Sequence, residues 1–373
     1  MKRIFCLILV LAGLLCACGS KGDAPETKPF TLPPVSDPSS GSSSSSANPE
    51  TPTTEPTEPP VLYRNPLNGA PMDAPYADRV VTVMLNNIRA AMPQHGNSDA
   101  DILYEVLAEG GITRCMGVFS DISKVEKLGS LRSARKYYVD LTRSYNAMYV
   151  HVGGSSEASN YLHNILGWDD MDGLYVSDKY MYRDRDRLNS GYSYEHTCFS
   201  DGNRILEYAQ QKNYNMTAEP GKTYGLTFAD TPEFSGQTTN KISVYFNMGG
   251  EPGQYTKLTQ FTYDPESHLY SASQYGGPYI DGNTGKALTF RNVMVLRASH
   301  ADQGDAKHHL TIVTVGSGKG YFSCDGKMVP ILWSRSSESE PFTYTLEDGT
   351  PLTVGVGKTY IAVVPNAATV SFE

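Results

Sequence analysis

Asp101-Ile102-Leu103-Tyr104-Glu105-Val106-Leu107-Ala108-Glu109-Gly110-Gly111-Ile112-Thr113-Arg114-Cys115-Met116-Gly117-Val118-Phe119 reads as two strands and the turn between them. Ile102 to Ala108 and Ile112 to Phe119 are apolar runs of strand length, and paired glycines supply the tight connection. Just upstream, Val80-Val81-Thr82-Val83-Met84-Leu85 is a continuous apolar run that fits a buried strand. Downstream, Ser133 is placed to cap a helix from Ala134 to about Tyr145, with Ala134, Tyr137, Tyr138, Leu141 and Tyr145 on its apolar side. A strand over Ala147 to Val152 breaks at Gly153-Gly154. Ser155 or Ser156 then opens a helix that Gly167 stops, and Asp201 precedes another over Asn203 to Lys212. Residues 61–215 are expected to form an α/β domain.

Beyond Tyr224 the helix signals vanish. Lys241 to Asn247, Leu258 to Tyr263, Leu288 to Arg297, Leu310 to Gly316, Val329 to Trp333 and Thr359 to Pro365 read as strands. Asp325-Gly326 and Asp348-Gly349 read as hairpin turns. The fold class is therefore an α/β N-terminal domain followed by a β-rich C-terminal domain, 217–373. Gly316-Ser317-Gly318-Lys319-Gly320 invites a phosphate-loop reading. No Ser or Thr follows the Lys and no helix follows the loop, so a strand-connecting turn is expected.

The other end of the chain gives an address. Lys2 and Arg3 precede an apolar run from Ile4 to Leu15, the layout of a signal peptide over 1–17. That run is too short to cross a hydrocarbon layer of roughly 30 Å. Leu15-Cys16-Ala17-Cys18 resembles the bacterial lipobox, which makes Cys18 the lipidated first residue of the mature chain; ordinary secretion after Ala17 is the competing reading. Residues 18–60 are rich in Ser, Pro, Thr and Gly and are expected to be a disordered tether. The expected location is the outer face of a bacterial membrane.

The formal charge is −9 and becomes −11 once Lys2 and Arg3 leave. The tether carries six acids against Lys21 and Lys28, so −7 belongs to the body. That balance argues against nucleic acid as a partner. Cys115, Cys198 and Cys324 are too few and too widely spaced for a disulfide framework or a zinc site. One disulfide with a free thiol is allowed, but three small core residues are the favoured reading.

Polar groups crowd the ends of the first domain's apolar elements. Arg114, Arg132, Arg135 and Arg183, with His151 and Ser155 at a strand-to-helix junction, would suit an acidic or phosphorylated ligand. Ligands favour the carboxyl ends of strands in open α/β sheets, and guanidinium groups grip carboxylate and phosphate bidentately. No cofactor is required, although Asp101, or else Asp99 or Glu105, offers a position for Mg²⁺. The same groups would also suit a structural ion-pair network. Asp169-Asp170-Met171-Asp172-Gly173 reads as a solvated turn, and His308-His309 has no visible partner for a metal.

Four strings together are specific: Asp101-Ile102-Leu103-Tyr104-Glu105, Glu109-Gly110-Gly111-Ile112-Thr113-Arg114, Gly129-Ser130-Leu131-Arg132-Ser133-Ala134-Arg135 and Tyr149-Val150-His151-Val152-Gly153-Gly154-Ser155. They resemble the YerB-type bacterial lipoprotein family, and Asn292-Val293 with the glycines at 316–320 resembles its second domain. Met92, His95 and Glu195-His196-Thr197 depart from that pattern. The resemblance implies a lipoprotein and supplies no reaction. A looser likeness in element order is to the LytR-CpsA-Psr wall-polymer transferases, which implies Arg contacts to a lipid pyrophosphate and a metal-holding Asp. Three functions follow as expectations. The first is an envelope lipoprotein binding an acidic ligand in the Arg-rich crevice. The second is a metal-dependent transferase or phosphatase on phosphorylated wall precursors, with Asp101 holding the ion. The third is a protein-interaction scaffold in an envelope assembly.

Overall fold

Two strands of the opening stretch form as their pattern requires. In the computed structural model, which describes residues 63–254 and 256–373, they are β2 (Ile102–Leu107) and β3 (Thr113–Phe119), paired antiparallel. Gly110 and Gly111 take φ of 68° and 73° in the connection, a region open to glycine at no steric cost. β1 (Val81–Asn86) pairs antiparallel with β3 on its far side. Next come α1 (Lys136–Ser144), β4 (Met148–His151), α2 (Ser156–Ser159), β5 (Asp170–Asp172), α3 (Arg185–Asn189) and α4 (Gly202–Gln211). The second stretch contributes β6 (Lys241–Tyr245), β7 (Leu258–Asp264), β8 (Leu269–Gln274), β9 (Asn292–Asp302), β10 (Gly316–Cys324), β11 (Lys327–Arg335), β12 (Thr359–Pro365) and β13 (Val370–Phe372).

One large mixed sheet runs β11–β10–β9–β12–β2–β3–β1–β4–β5. β12 lies parallel to both β9 and β2, so a strand near the C-terminus completes the sheet that begins near residue 81. A smaller antiparallel sheet, β8–β7–β6–β13, covers one face of it. Alternation along the strands explains both layers. Leu103 and Leu107 of β2, with Tyr360, Ala362 and Val364 of β12, meet Ile242, Phe261 and Tyr270 of the small sheet. Tyr104, Val106, Ile361 and Val363 point to the other face, where α1 packs with Tyr138 and Leu141. Strands buried on both faces favour near-continuous apolar runs, and Glu105 is the charged exception in β2.

The coarser expectation holds: the first stretch carries helices and the second is all strand. Four α-helices occur among the described residues, all before residue 212, and the longest has ten residues. A free-standing α/β domain is not what forms, because β12 and β9 complete its sheet and the body behaves as one compact unit. Ser133 does not cap α1; Arg135 holds the N-cap position with no side-chain bond, and the helix starts at Lys136. Ser155 and Asp201 do cap, accepting from Ala158 N at 3.2 Å and Arg204 N at 2.9 Å. Gly316–Gly320 is part of strand β10 rather than a turn. Cys115, Cys198 and Cys324 are all free and buried. The signal peptide, Cys18 and the tether fall outside the described residues.

A buried ion pair fastens the two sheets. Glu105 of β2 is fully buried; its Oε1 accepts from Asn87 Nδ2 at 2.7 Å and Thr113 Oγ1 at 2.6 Å, and lies 3.1 Å from Lys257 Nζ. Its Oε2 accepts from Thr259 Oγ1 at 2.7 Å and from the Tyr360 hydroxyl. Lys257 also donates to Thr259 Oγ1 and to Gln274 Oε1 at 2.7 Å. With both oxygens satisfied, the charge is tolerated where an isolated carboxylate would not be. Replacing Glu105 with Ala strands the ammonium and should lower the unfolding free energy by about 3–5 kcal/mol. Urea melts of Glu105→Ala and of a Glu105→Leu, Lys257→Met pair would check this: the single variant should fall and the pair should recover most of the loss. A single variant as stable as the parent would mean the pair does not fasten the sheets.

Candidate functional site

The loop from Gly129 to Arg135 carries the arginines past the ends of β1 and β4. Its backbone is fixed on both sides: Arg132 N donates to Met84 O, Val152 N to Arg132 O, and Ala134 N to Gly153 O at 2.8 Å. Gly153 takes φ 64°, and a Cβ there would sit 2.9 Å from the Leu174 side chain. These constraints create a cleft of about 310 Å³ lined by Arg132, Ser133, Gly153, Gly154, Leu174, Arg183, Tyr194 and Glu195 among others.

The four predicted arginines divide into two pairs. Arg135 grips Glu109 with two nitrogens, the Nη2–Oε2 distance being 2.9 Å, and Arg114 Nη2 lies 3.3 Å from the same carboxylate. Burial alone would raise the Glu109 carboxyl, but hydrogen bonding from Arg135 and the two guanidinium charges hold it below the usual range. Arg114 and Arg135 are buried, and each also donates to a loop carbonyl, Ser133 O and Ala134 O respectively. They brace the loop.

Arg132 and Arg183 instead reach the cleft. Arg132 Nη1 donates to Glu195 Oε2 at 2.9 Å, and that bond holds the Glu195 carboxyl below its usual range. Its Nε is buried without a hydrogen-bond partner. Arg183 stacks over the Tyr194 ring at 3.9 Å and donates to Tyr194 O at 3.0 Å. Among the described residues it pairs with no carboxylate. Tyr194 and Leu174 are 64% and 62% exposed, so the cleft has an apolar rim beside its cations.

Other predicted residues lie elsewhere or act locally. Asp101 accepts from Ser120 N at 2.7 Å and from Asn68 Nδ2, in a second cleft shared with Asp99, Asp121 and Lys358. It follows the register of Phe119, five positions along the strand from Arg114, roughly 17 Å away at 3.3 Å per residue. An ion on Asp101 would therefore not bridge a ligand in the arginine cleft. Ser155 spends its hydroxyl on capping α2. His151 is buried, its Nδ1 2.9 Å from Gly153 O and its Nε2 3.1 Å from Asp170 Oδ2.

Sequence reading missed His163, Asp170, Tyr194 and Leu174. Asp170-Met171-Asp172 is not a solvated turn but edge strand β5: Asp172 accepts from Gly153 N at 2.7 Å, and Asp170 Oδ2 lies 3.1 Å from Nε2 of both His151 and His163. The alternation of acid, Met and acid, with Met171 in the core, was the available signal. His308 and His309 pair with exposed Asp302 and Asp305.

Residues 67–215 match the N-terminal domain, and 252–361 the C-terminal domain, of the family described as "Protein of unknown function (DUF3048)". The chain belongs to this family, and with it to the YerB-type proteins. It is 30% identical over 314 residues to "Putative lipoprotein YerB" of Bacillus subtilis, covering 82% of this chain and 88% of that protein. The crystal structure of the Bacillus subtilis YerB protein superposes with a TM-score of 0.70 at 30% identity, covering 83% of this chain and 99% of that one.

Glu195 competes with any anion for Arg132, so its removal separates a binding cleft from a closed ion-pair network. Glu195→Ala should leave the melting temperature nearly unchanged, since an exposed pair contributes about 0–1 kcal/mol, whereas Arg135→Ala should lower it by several degrees because it removes a buried guanidinium and strips half-buried Glu109 of its main partner. Thermal melts of the two variants check the division; equal losses would refute it.

Proposed function

We propose that this chain is a lipid-anchored protein of the bacterial cell envelope that binds an acidic ligand in the Arg132–Arg183 cleft. The observation that carries the reading is the pairing, among the described residues, of two cleft-facing guanidinium groups with one carboxylate, itself on an exposed side chain, in a chain whose overall balance is acidic. Guanidinium groups freed of a carboxylate favour phosphate or carboxylate ligands in bidentate geometry. Tyr194 and Leu174 add a surface for a ring or alkyl portion next to the anionic group. A wall-derived phosphorylated glycan or lipid precursor has this combination of parts. Anchoring rests on the Cys18 lipobox and on the name of the Bacillus subtilis relative.

Two experiments test the proposal. Arg132→Ala with Arg183→Ala should abolish heat protection by pyrophosphate or by an acidic wall-polymer preparation, each lost charge-assisted contact weakening binding by about 1.5–3 kcal/mol. Glu195→Ala should tighten binding. Failure of every acidic compound to protect the parent protein would refute the cleft reading. Cys18→Ala should release the protein from the membrane fraction or leave it unprocessed, because the anchor's acyl chains contribute about 0.8 kcal/mol per buried CH₂. Normal processing and full membrane retention of that variant would refute the anchor.

A further inference from the structure

His151, His163 and Asp170 come from a strand, the helical turn that follows it and the next strand, and offer ligand atoms all within 4.8 Å of one another. Each imidazole Nε2 is 3.1 Å from the same oxygen, Asp170 Oδ2. Tetrahedral bonds of about 2.0–2.1 Å to Zn²⁺ place ligand atoms roughly 3.3 Å apart, so the cluster needs only small adjustments to close on an ion.

The hydrogen bonding of His151 points the same way. Its Nδ1 faces the Gly153 carbonyl, which only accepts, so Nδ1 carries a hydrogen. The neutral ring then directs the bare lone pair of Nε2 at a carboxylate oxygen, two acceptors in contact. A proton or a cation must sit between them. A ring held by Nδ1–H to a carbonyl, with Nε2 free for the ion, is the usual arrangement around a ligating histidine. His163 comes from Asn160–Leu166, a π-helical turn, a local widening often found at functional sites. Asp170 is anchored from behind, its carbonyl accepting from the Tyr214 hydroxyl at 3.2 Å.

We propose that His151, His163 and Asp170 form a binding site for a borderline divalent transition ion, Zn²⁺ in the first place. Two imidazoles with one carboxylate suit that class better than Mg²⁺ or Ca²⁺, which take oxygen ligands. His163 is the exposed member, one third accessible, and leaves a coordination position toward solvent. The ion would clip the π-helical turn to edge strand β5. The site is separate from the Arg132–Arg183 cleft and stands whether or not that cleft binds an anion.

The test uses the full mature chain, stripped with chelator and titrated with Zn²⁺, and with Co²⁺ as a spectroscopic probe. One equivalent should bind with a Co²⁺ d–d spectrum of low coordination number, and Zn²⁺ should raise the melting temperature where Mg²⁺ does not. His163→Gln and Asp170→Asn, folded by circular dichroism, should each weaken uptake at least about 100-fold. His308→Ala with His309→Ala, which removes the exposed surface pairs, should leave the tight equivalent in place. No tight equivalent in the parent protein would overturn the proposal and assign the gap to a protonated His151–Asp170 pair. Undiminished uptake by His163→Gln and Asp170→Asn, or loss with the surface pair, would overturn it equally.

Discussion

The parallel pairing of β12 with β2 is the constraint on which the rest of this body depends. Thr359 to Val363 lie opposite Ile102 to Val106, joining residues more than 250 positions apart. Without β12, the strand Ile102–Leu107 would be an open edge carrying apolar side chains on both faces, a surface prone to mispairing. β12 also sets the height of the small sheet, since Tyr360 stands edge-on to Phe261 and Phe290 at centroid distances of 4.7 and 5.0 Å. The same tyrosine donates to Glu105. Parallel pairing at such separation pays its loop-closure entropy early, so the body should assemble slowly and as a unit.

Glu105 and Lys257 add specificity to that apolar interface more than they add stability. A slip of β7 against β2 by one residue would carry Thr259 away from the carboxylate and leave both charges buried without partners. An all-apolar interface would carry no such penalty. The dense polar grouping at the strand ends is thus several things at once. Glu105 with Lys257 fastens the sheets, Glu109 with Arg114 and Arg135 braces a loop, and of the four arginines Arg132 and Arg183 face the cleft.

What was legible in the sequence was local. Thr359–Pro365 forms as read, and Val80–Leu85, Ile102–Ala108 and Ile112–Phe119 shift by a residue at most, because their apolar runs are long enough to fix element type. Pairing order was not legible, since nothing in Thr359–Pro365 names Ile102–Leu107 as its neighbour. The glycines at 316–320 misled for a physical reason. A Cβ on Gly318 would fall 2.5 Å from the Trp333 ring, and one on Gly320 2.6 Å from Val295 O. Gly318 and Gly320 are glycines because a large ring and a neighbouring strand approach closely there, not because the chain turns. Arg114, Arg132 and Arg135 were legible as a group, but the split between bracing and cleft depends on Glu109 and Glu195, which differ in burial rather than in residue type.

Gly153 shows how the cleft keeps its shape. Its carbonyl accepts from Ala134 N and faces His151 Nδ1, while its N–H donates to Asp172. One residue thereby ties the arginine loop, β4 and edge strand β5 together. A positive φ strains any side chain at this position, and a Cβ would also press on the Leu174 side chain. Part of the cleft's wall is this backbone, and backbone held at three points moves little. What can move is Glu195, exposed and held by one arginine; on the proposed reading an incoming anion would displace its carboxylate from Arg132 while the backbone stays in place.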